Sequence, residues 1–465
     1  MEYNIEVLFL DLMKASILIL ISHIIRSKVK FIQNLYIPSS LLAGFLGLAL
    51  GPYGINYLTF SNKASGYSSA FMVIVFSAIA YGSFSLVKHN KNENKENLKS
   101  FKGEALKRIL ALYVYRSIVS IIVYIVPIII GIYVINRFQL LPEGFTILVG
   151  GGFVGGHGTN AAFSSVITQN TGWADANDIG MTFATIGLLL GLIGGIIQIK
   201  MATNKKYTYF VNKFESLPQQ YKTGFLEENE RSPLAETTVS SIALDPLAWN
   251  FIMVMIPTGL AYATIGYVRK IFETVPTYLW AFLIAILLIQ ILKISNLGKY
   301  VDKNCIQRIS STATEYLVFF GVAGIKISIV IEFAMPIIIL SVVALVSLLI
   351  FMYILAPRLN NYYWFERSIF VYGYCTGVYA IGLTLLRIVD PNSKSKTLED
   401  AALTSPIDFV EYYTLLLGPV LMSTGKVNTF LGVMLIMLVS SFIAAFILKL
   451  WNPIHLERKT DSELC

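Results

Sequence analysis

The chain contains little charge, few cysteines and few histidines. Only 14% of its 465 residues are charged, and 55% are hydrophobic, whereas soluble domains carry roughly 25% charged residues. Apolar runs about 20 residues long recur from end to end, and each could cross a hydrocarbon core of about 30 Å. The scarcity of charge therefore excludes an ordinary soluble domain and predicts an all-α polytopic membrane protein.

The remaining scarce features exclude further classes. Cys305, Cys375 and Cys465 form neither a disulfide framework nor a Cys-x-x-Cys metal pair. The N-terminal residues MEYNIEV lack the basic region of a cleaved signal peptide, so the first apolar run is expected to be a retained helix. The net charge of +8 comes from basic loops between apolar runs, which favours membrane orientation over nucleic-acid binding.

The basic loops also predict the orientation. Arg26, Lys28 and Lys30 follow the first run, at about 7–25, and place the N-terminus outside. Later runs are predicted at about 37–50, 68–87, 109–135, 140–167, 181–199, 247–268, 278–294, 315–330, 331–355 and 368–389, with basic loops at 88–108 and 293–308 in the cytoplasm.

A polar linker divides the chain into two hydrophobic halves. We predict a first membrane repeat at 1–199, a cytoplasmic linker at 200–245, a second and inverted repeat at 246–450, and a tail at 451–465. The stretch 406–450 is long enough either for two helices divided at Gly425 or for one extended helix, and the side of the C-terminus stays open.

Each half contains one glycine-interrupted segment. Residues 150–165 read GGGFVGGHGTNAAFSS, and each glycine weakens a helix by about 1 kcal/mol relative to alanine. Non-helical backbone at membrane depth is tolerated only where protein or a watery cavity receives its polar groups. We therefore predict re-entrant hairpins at about 140–167 and 368–389, and such a matched pair points to a transporter site near the midplane.

Several sequence stretches resemble one known family. GGHGTNAAFS at 155–164, followed by MTFATIGLLLGLIGG at 181–195, closely resembles the bacterial glutamate:sodium symporter family. YIPSSLLAGFLGLALG at 36–51 and GIKISIVIEFAMP at 324–336 add to the resemblance. It implies an inner-membrane secondary transporter that couples L-glutamate uptake to sodium entry. It also implies inverted repeats, an elevator-type carrier and a homodimer in the lipid bilayer, without enzyme activity and without a cofactor beyond sodium as coupling ion.

The second glycine-rich element departs from the family's pattern. Where the family has an element resembling Gly-His-Cys-Gly-Phe-Gly, this chain has Gly-Tyr-Cys-Thr-Gly-Val-Tyr at 373–379. Tyr374 takes the histidine position, and the added tyrosines are expected to narrow the site. The exact substrate and the coupling ion therefore stay open.

The site is predicted from the two broken segments. Backbone N–H groups at a broken helix end bind anions, and glycine permits close approach. The residues predicted to bind substrate are Gly155, Gly156, His157, Gly158, Thr159, Asn160, Ser164, Thr376, Gly377, Thr384 and Arg387. Those predicted to bind sodium through oxygen are Gly152, Thr185 and Gly373.

Some of these residues have alternative roles. His157 is expected to contact substrate, to titrate with proton coupling, or to cap a helix end. Arg387 suits a carboxylate but could also snorkel to the interface. Arg116 lies in an apolar run and is a functional candidate by default, whereas Lys326 is expected to anchor a helix end. Asp11 and Lys14, three residues apart, are expected to pair.

Four other functions compete with sodium–glutamate symport as interpretations of the sequence. The first is a symporter of another organic anion, with a proton as an alternative coupling ion. A membrane-embedded enzyme using His157 would need a partner nucleophile or metal set that the sequence does not offer. A sodium/proton exchanger is disfavoured because neither 148–167 nor 369–389 contains Asp or Glu. A channel is less consistent with paired re-entrant elements.

Overall fold

A computed structural model describes most of the chain. The described residues are 5–34, 37–61, 64–83, 104–211, 223–228, 231, 233–270, 275–360, 363–390, 394–404 and 408–453. Most of the basic loop 88–108, parts of the linker 200–245 and most of the tail 451–465 lie outside them. Within the described ranges the regular secondary structure is helical.

The helices are labelled here in chain order. They are α1 (Ile5–Lys28), α2 (Lys30–Asn34), α3 (Ser39–Leu50), α4 (Tyr67–Ser83), α5 (Glu104–Tyr133), α6 (Ile147–Val154), α7 (Gly156–Thr171), α8 (Ala176–Asn204), α9 (Pro246–Val268), α10 (Thr277–Ile294), α11 (Lys303–Ala323), α12 (Ile327–Glu332), α13 (Ala334–Leu359), α14 (Trp364–Val389), α15 (Thr397–Thr404), α16 (Phe409–Ser423) and α17 (Val427–Ile447).

Seven of the described helices are long and apolar enough to cross a membrane. They are α1, α8, α9, α10, α13, α17 and the stretch Leu106–Arg137, which contains most of α5. By contrast, α3 has 12 residues and is only about 18 Å long, shorter than a hydrocarbon core. The prediction of an all-helical polytopic membrane protein is confirmed at this level.

The crossing predicted at 315–330 is wrong in its bounds. The helix α11 begins within the loop 293–308 that was predicted to be cytoplasmic, and it ends before the predicted run does. Asp302 explains the early start, because its carboxylate accepts the backbone N–H of Asn304 at 2.8 Å and that of Glu236 at 2.7 Å. This N-cap begins a helix in a polar segment that hydropathy alone reads as a loop.

Within the stretch 406–450 the described residues form two helices, α16 and α17. They are separated at residues 424–426, where Gly425 adopts a φ of +72°. Asp408 begins α16, since its carboxylate accepts the backbone N–H of Glu411 at 3.1 Å. Of the two alternatives that the sequence left open, the division at Gly425 is the one observed.

The helices α6 and α7 pack side by side as an antiparallel pair, which we call the first hairpin. Asn160 in α7 donates from Nδ2 to the carbonyl of Leu148 in α6 at 2.9 Å. A continuous helix would separate these residues, 12 positions apart, by about 18 Å. The chain reverses at Gly155 and Gly156, where the φ of +67° at Gly156 suits glycine. Only Gly155 lies outside the two helices, so the break is shorter than predicted.

The helix α14 also doubles back on itself, and we call it the second hairpin. Its residues are helical from Trp364 to Val389, yet a Cβ built on Gly373 would lie 2.7 Å from the Cα of Gly382. In a straight helix nine residues rise about 13.5 Å. The rings of Phe370 and Tyr379 likewise meet at 5.4 Å between centroids. The segment therefore reverses direction between Gly373 and Gly382, within the glycine-interrupted stretch that the sequence identified.

The helix contacts fall into two matching sets. The helix α1 packs on α3, as α9 packs on α10. Then α3 packs on α11, as α10 packs on α4. Finally, α8 packs on the second hairpin and α16 packs on the first, while α4 contacts α11 and α5 contacts α13. The pattern places both hairpins, α8 and α16 in one group of contacting elements.

Candidate functional site

Two polar side chains hold the first hairpin against α8. Besides its bond within the hairpin, Asn160 donates from Nδ2 to the carbonyl of Gly180 at 2.6 Å. Ser164 donates from Oγ to the carbonyl of Ala176 at 3.0 Å. Both side chains are buried. The sequence predicted both as substrate ligands, but the structure places them in the interface between helices.

The glycines at the end of α6 allow other helices to approach closely. A Cβ on Gly150 would collide with the ring of Tyr124 in α5, and one on Gly152 would lie 2.6 Å from the backbone nitrogen of Ala184 in α8. Small residues are the usual means of close helix packing in membranes. Packing therefore accounts for part of the glycine pattern that the sequence favoured as a binding site.

The tip of the first hairpin faces an internal cavity. Its lining residues are consecutive: Gly155, Gly156, His157, Gly158 and Thr159. This tip is also the N-terminus of α7, where the first turn has backbone N–H groups with no partner inside the helix. The partial positive charge of a helix N-terminus adds to them, so this end of the cavity suits an anion.

His157 connects the tip to α8. Its Nε2 lies 3.0 Å from Oγ1 of Thr185, and both side chains are buried. The contact joins a residue predicted to bind substrate to one predicted to bind sodium. The imidazole is thus held in one orientation beside the cavity.

The second hairpin packs against the same helix, further toward its C-terminus. A Cβ on Gly187 would lie 2.6 Å from the carbonyl oxygen of Thr376, and one on Gly191 would lie 2.5 Å from its Oγ1. Thr376 is fully buried and donates to the carbonyl of Tyr372 at 2.8 Å. Thr376 was predicted to face the substrate, but its side chain lies against α8.

The two hairpin tips meet at a cavity of about 490 Å³. This volume lies within the roughly 300–1,000 Å³ of small-molecule sites. The second hairpin contributes Tyr374, Gly377, Tyr379 and Ile381 to the lining. The largely apolar wall comes from α4, α5, α10 and α11 and includes Phe76, Tyr124, Tyr278, Phe282, Leu317 and Val318.

A cluster of charged groups stands at one end of the cavity. Arg116 donates from Nη2 to Oδ2 of Asp408 at 2.6 Å, and both are buried. The hydroxyl of Tyr374 donates to Oε2 of Glu411 at 2.9 Å, and the Arg116 guanidinium lies 5.1 Å from the centre of the Tyr374 ring. Asp408 and Glu411 both line the cavity. We call these four residues the polar cluster.

Sequence reasoning missed Asp408 and Glu411. Two signals could have found them, because both are ionisable residues within an apolar stretch and their Asp-x-x-Glu spacing after Pro406 is typical of a helix start. Arg116 was identified as a candidate by the first of these signals. Its partner, 292 positions away, could not be read from the sequence.

Other predicted residues lie away from the cavity. Arg387 is exposed, and neither it nor Thr384 lines the cavity. Gly373 packs against the opposite arm of its own hairpin. Lys326 forms an ion pair with Asp175, with 2.6 Å between Nζ and Oδ1, which fits its expected role in anchoring a helix end.

Comparison with known families matches residues 5–389 of the chain to the sodium/glutamate symporter family. The matched region contains both hairpins and α8, and it ends before Asp408 and Glu411. A comparison with curated proteins gave no match. Because the family model covers most of the 465 residues, the chain belongs to the sodium/glutamate symporter family.

Proposed function

We propose that the chain is a secondary active transporter that carries L-glutamate, or a similar anionic amino acid, into the cell together with sodium. The family is one of transporters rather than enzymes, and seven helices long enough to cross a membrane support a multi-pass membrane protein. The observation that carries the proposal is the meeting of two hairpin tips at one cavity of about 490 Å³.

The first tip would receive the carboxylates of the substrate. Gly155, Gly156 and Gly158 expose backbone at the N-terminus of α7, and Thr159 adds a hydroxyl. Preorganised N–H groups replace water around an anion without a mobile counter-ion. Gly377 on the second tip would close the site from the other side.

Sodium would bind beside the first tip. A hard cation prefers oxygen ligands, and Thr185 offers a hydroxyl next to His157. The carbonyl group of Gly152 is the further ligand that we propose, whereas Gly373 packs within its own hairpin. Sodium is cargo in this scheme and not a resident metal.

The two sets of helix contacts support an inverted repeat. When two halves share one architecture, each helix contact of one half is expected to recur in the other. The α1–α3 contact recurs as α9–α10, and the α3–α11 contact recurs as α10–α4. The contact of α8 with the second hairpin likewise recurs as the contact of α16 with the first. Inverted repeats with midplane sites are typical of alternating-access carriers. An elevator-type movement, a homodimer and an inner-membrane location, with the N-terminus outside, belong to this proposal.

A second candidate is a symporter of another organic anion that uses a proton. The carboxylates of Asp408 and Glu411, which line the cavity, favour it, because such groups can carry protons across membranes. The tyrosine at position 374 also changes the lining relative to the family's element.

Uptake into proteoliposomes tests the proposal. Radiolabelled L-glutamate should accumulate under an inward sodium gradient and fail to accumulate when potassium replaces sodium. Thr159→Val, at the tip, should reduce uptake, whereas Thr312→Val, on an exposed helix face where the hydroxyl bonds only the carbonyl of Arg308, should not. Uptake that follows a proton gradient without sodium would favour the second candidate and contradict the first.

A further inference from the structure

One carboxylate at the cavity forms no ion pair within the part of the chain that the structure describes. Asp408 is paired with Arg116 at 2.6 Å, whereas Glu411 forms no ion pair within 4.0 Å among the described residues. The polar cluster therefore contains two carboxylates and one guanidinium, and one negative charge is left over. A charge held inside protein needs an opposite charge or a dense set of hydrogen bonds.

Glu411 is held so that it faces the cavity. The hydroxyl of Tyr374 donates to its Oε2 at 2.9 Å, and its backbone N–H is bonded to Asp408 at 3.1 Å. Its side chain is exposed, and it lines the cavity. The other glutamate of the lining, Glu315, interacts electrostatically with Arg26 and His23, so Glu411 is the carboxylate whose charge is left for a ligand.

The first half of the chain contains a similar acidic pair, and both of its carboxylates form ion pairs with one lysine. Asp175 and Asp178 stand at the start of α8 with the same spacing as Asp408 and Glu411 at the start of α16. Nζ of Lys326 lies 2.6 Å from the carboxylate of Asp175 and 3.8 Å from that of Asp178, so it forms an ion pair with each. In the second half Arg116 forms its ion pair with the first member, Asp408, and within the described residues no ion pair joins it to Glu411. Glu411 corresponds to Asp178 in this comparison, and its carboxylate is available to a cation that enters with the substrate.

The surroundings suit an organic ammonium better than a sodium ion. Tyr374 contacts Glu411 directly, and the aromatic rings of Tyr278 and Phe282 line the same cavity. Ammonium groups combine a carboxylate bond with contacts to ring faces. Sodium instead needs several oxygen ligands at once, which a largely apolar wall of rings does not supply.

The geometry points to Glu411 as the specificity-determining residue that receives the α-ammonium of the substrate and so selects an amino acid over a dicarboxylate of the same length. This inference rests on the proposed function. The first tip then receives the carboxylates and the polar cluster receives the ammonium, which matches the two negative charges and one positive charge of glutamate.

Selectivity in proteoliposomes tests the role of Glu411. Sodium-driven uptake of L-glutamate is measured with glutarate, which has the same chain without the ammonium, as competitor. Glu411→Gln should raise the KM for L-glutamate by about 30-fold or more, the usual effect of truncating one partner of a charge contact that ligand binding buries. It should not weaken inhibition by glutarate, and the half-saturating sodium concentration should stay unchanged. Glu332→Gln, at an exposed position outside the cavity, is the matched control.

A second variant guards against misfolding. Glu411→Asp keeps the charge and should keep the preference for L-glutamate over glutarate, at a higher KM. Thermal unfolding in detergent confirms that each variant is folded before uptake is compared. If only Glu411→Gln unfolds, the selectivity of Glu411→Asp decides, since equal affinity for both compounds would overturn the inference.

The two possible failures are distinguishable. Wild-type uptake of L-glutamate that needs no sodium would overturn the proposed symport, while the comparison with glutarate would still test Glu411. A sodium-dependent wild type in which Glu411→Gln changes the sodium requirement but keeps the selectivity would overturn the inference and assign Glu411 to the cation. Unchanged selectivity and unchanged sodium dependence would also overturn it.

Discussion

Arg116 and Asp408 meet at 2.6 Å although 292 positions of the chain separate them. Both side chains are almost fully buried, with 1% and 5% of their surface exposed. The contact joins α5 to the first turn of α16 beside the cavity. It therefore ties the folding of the first half of the chain to the placement of Glu411 in the second.

Removal of one partner should be more harmful than removal of both. Arg116→Leu leaves the Asp408 carboxylate buried and unpaired, and we expect it to lower the free energy of unfolding by about 3–5 kcal/mol. The double variant Arg116→Leu/Asp408→Leu should lose less than the sum of the single variants. Denaturant unfolding in detergent micelles measures this, and additive losses would show that the two groups do not interact.

Closure of the second hairpin should depend on Gly373. In Gly373→Leu the side chain would collide with the backbone at Gly382, and overpacking of this kind costs about 1–3 kcal/mol. We expect a lower unfolding temperature and lower uptake. Gly432→Leu in α17 is the control, because a Cβ at that position meets no atom within 4 Å. Equal effects of the two variants would contradict the hairpin.

The hydroxyl of Thr185 should stabilise the first hairpin. Thr185→Val leaves Nε2 of His157 buried without its partner at 3.0 Å, which costs about 1–3 kcal/mol. Thr185→Ser keeps the hydroxyl and should restore most of the stability. If Thr185→Ser and Thr185→Val unfold at the same temperature, then the hydrogen bond contributes nothing.

The ion pair of Lys326 should be insensitive to pH in the working range. The hydrogen bond to Asp175 raises the pKa of Lys326 above its ordinary 10.5. A raised lysine pKa contributes stability that is fully present below the ordinary value and is lost only above it. Because the side chain is 38% exposed, Lys326→Met should cost about 0–1 kcal/mol. Unfolding curves at pH 7 and pH 9 should show the same difference between variant and wild type.

The sequence predicted the hairpins because their signal is local. Each of the two glycine-rich segments is a place where the chain reverses direction. The sequence did not predict the contact of Gly373 with Gly382, since it is set by tertiary packing rather than by residue type.

The candidate site was predicted less well for the same reason. Asn160 looks like a ligand in its motif, but its hydrogen bonds go to carbonyls 12 and 20 positions away. Glu411 sits in an apolar stretch whose average hydropathy hides it, and its importance depends on Tyr374, 37 positions away. The spacing of residues along the chain predicts helix faces and caps. It does not predict which distant groups form an ion pair or hydrogen bond with a charged side chain.

The glycine face of α8 has a mechanical consequence. This helix touches the first hairpin at Gly152 and the second at Thr376 with no room even for a methyl group. Because tightly packed surfaces slide apart only by opening voids, a shift of either tip must drag α8 and the other tip along. The two hairpin tips and α8 are therefore expected to behave as one rigid body, in which a change at one tip is transmitted to the other.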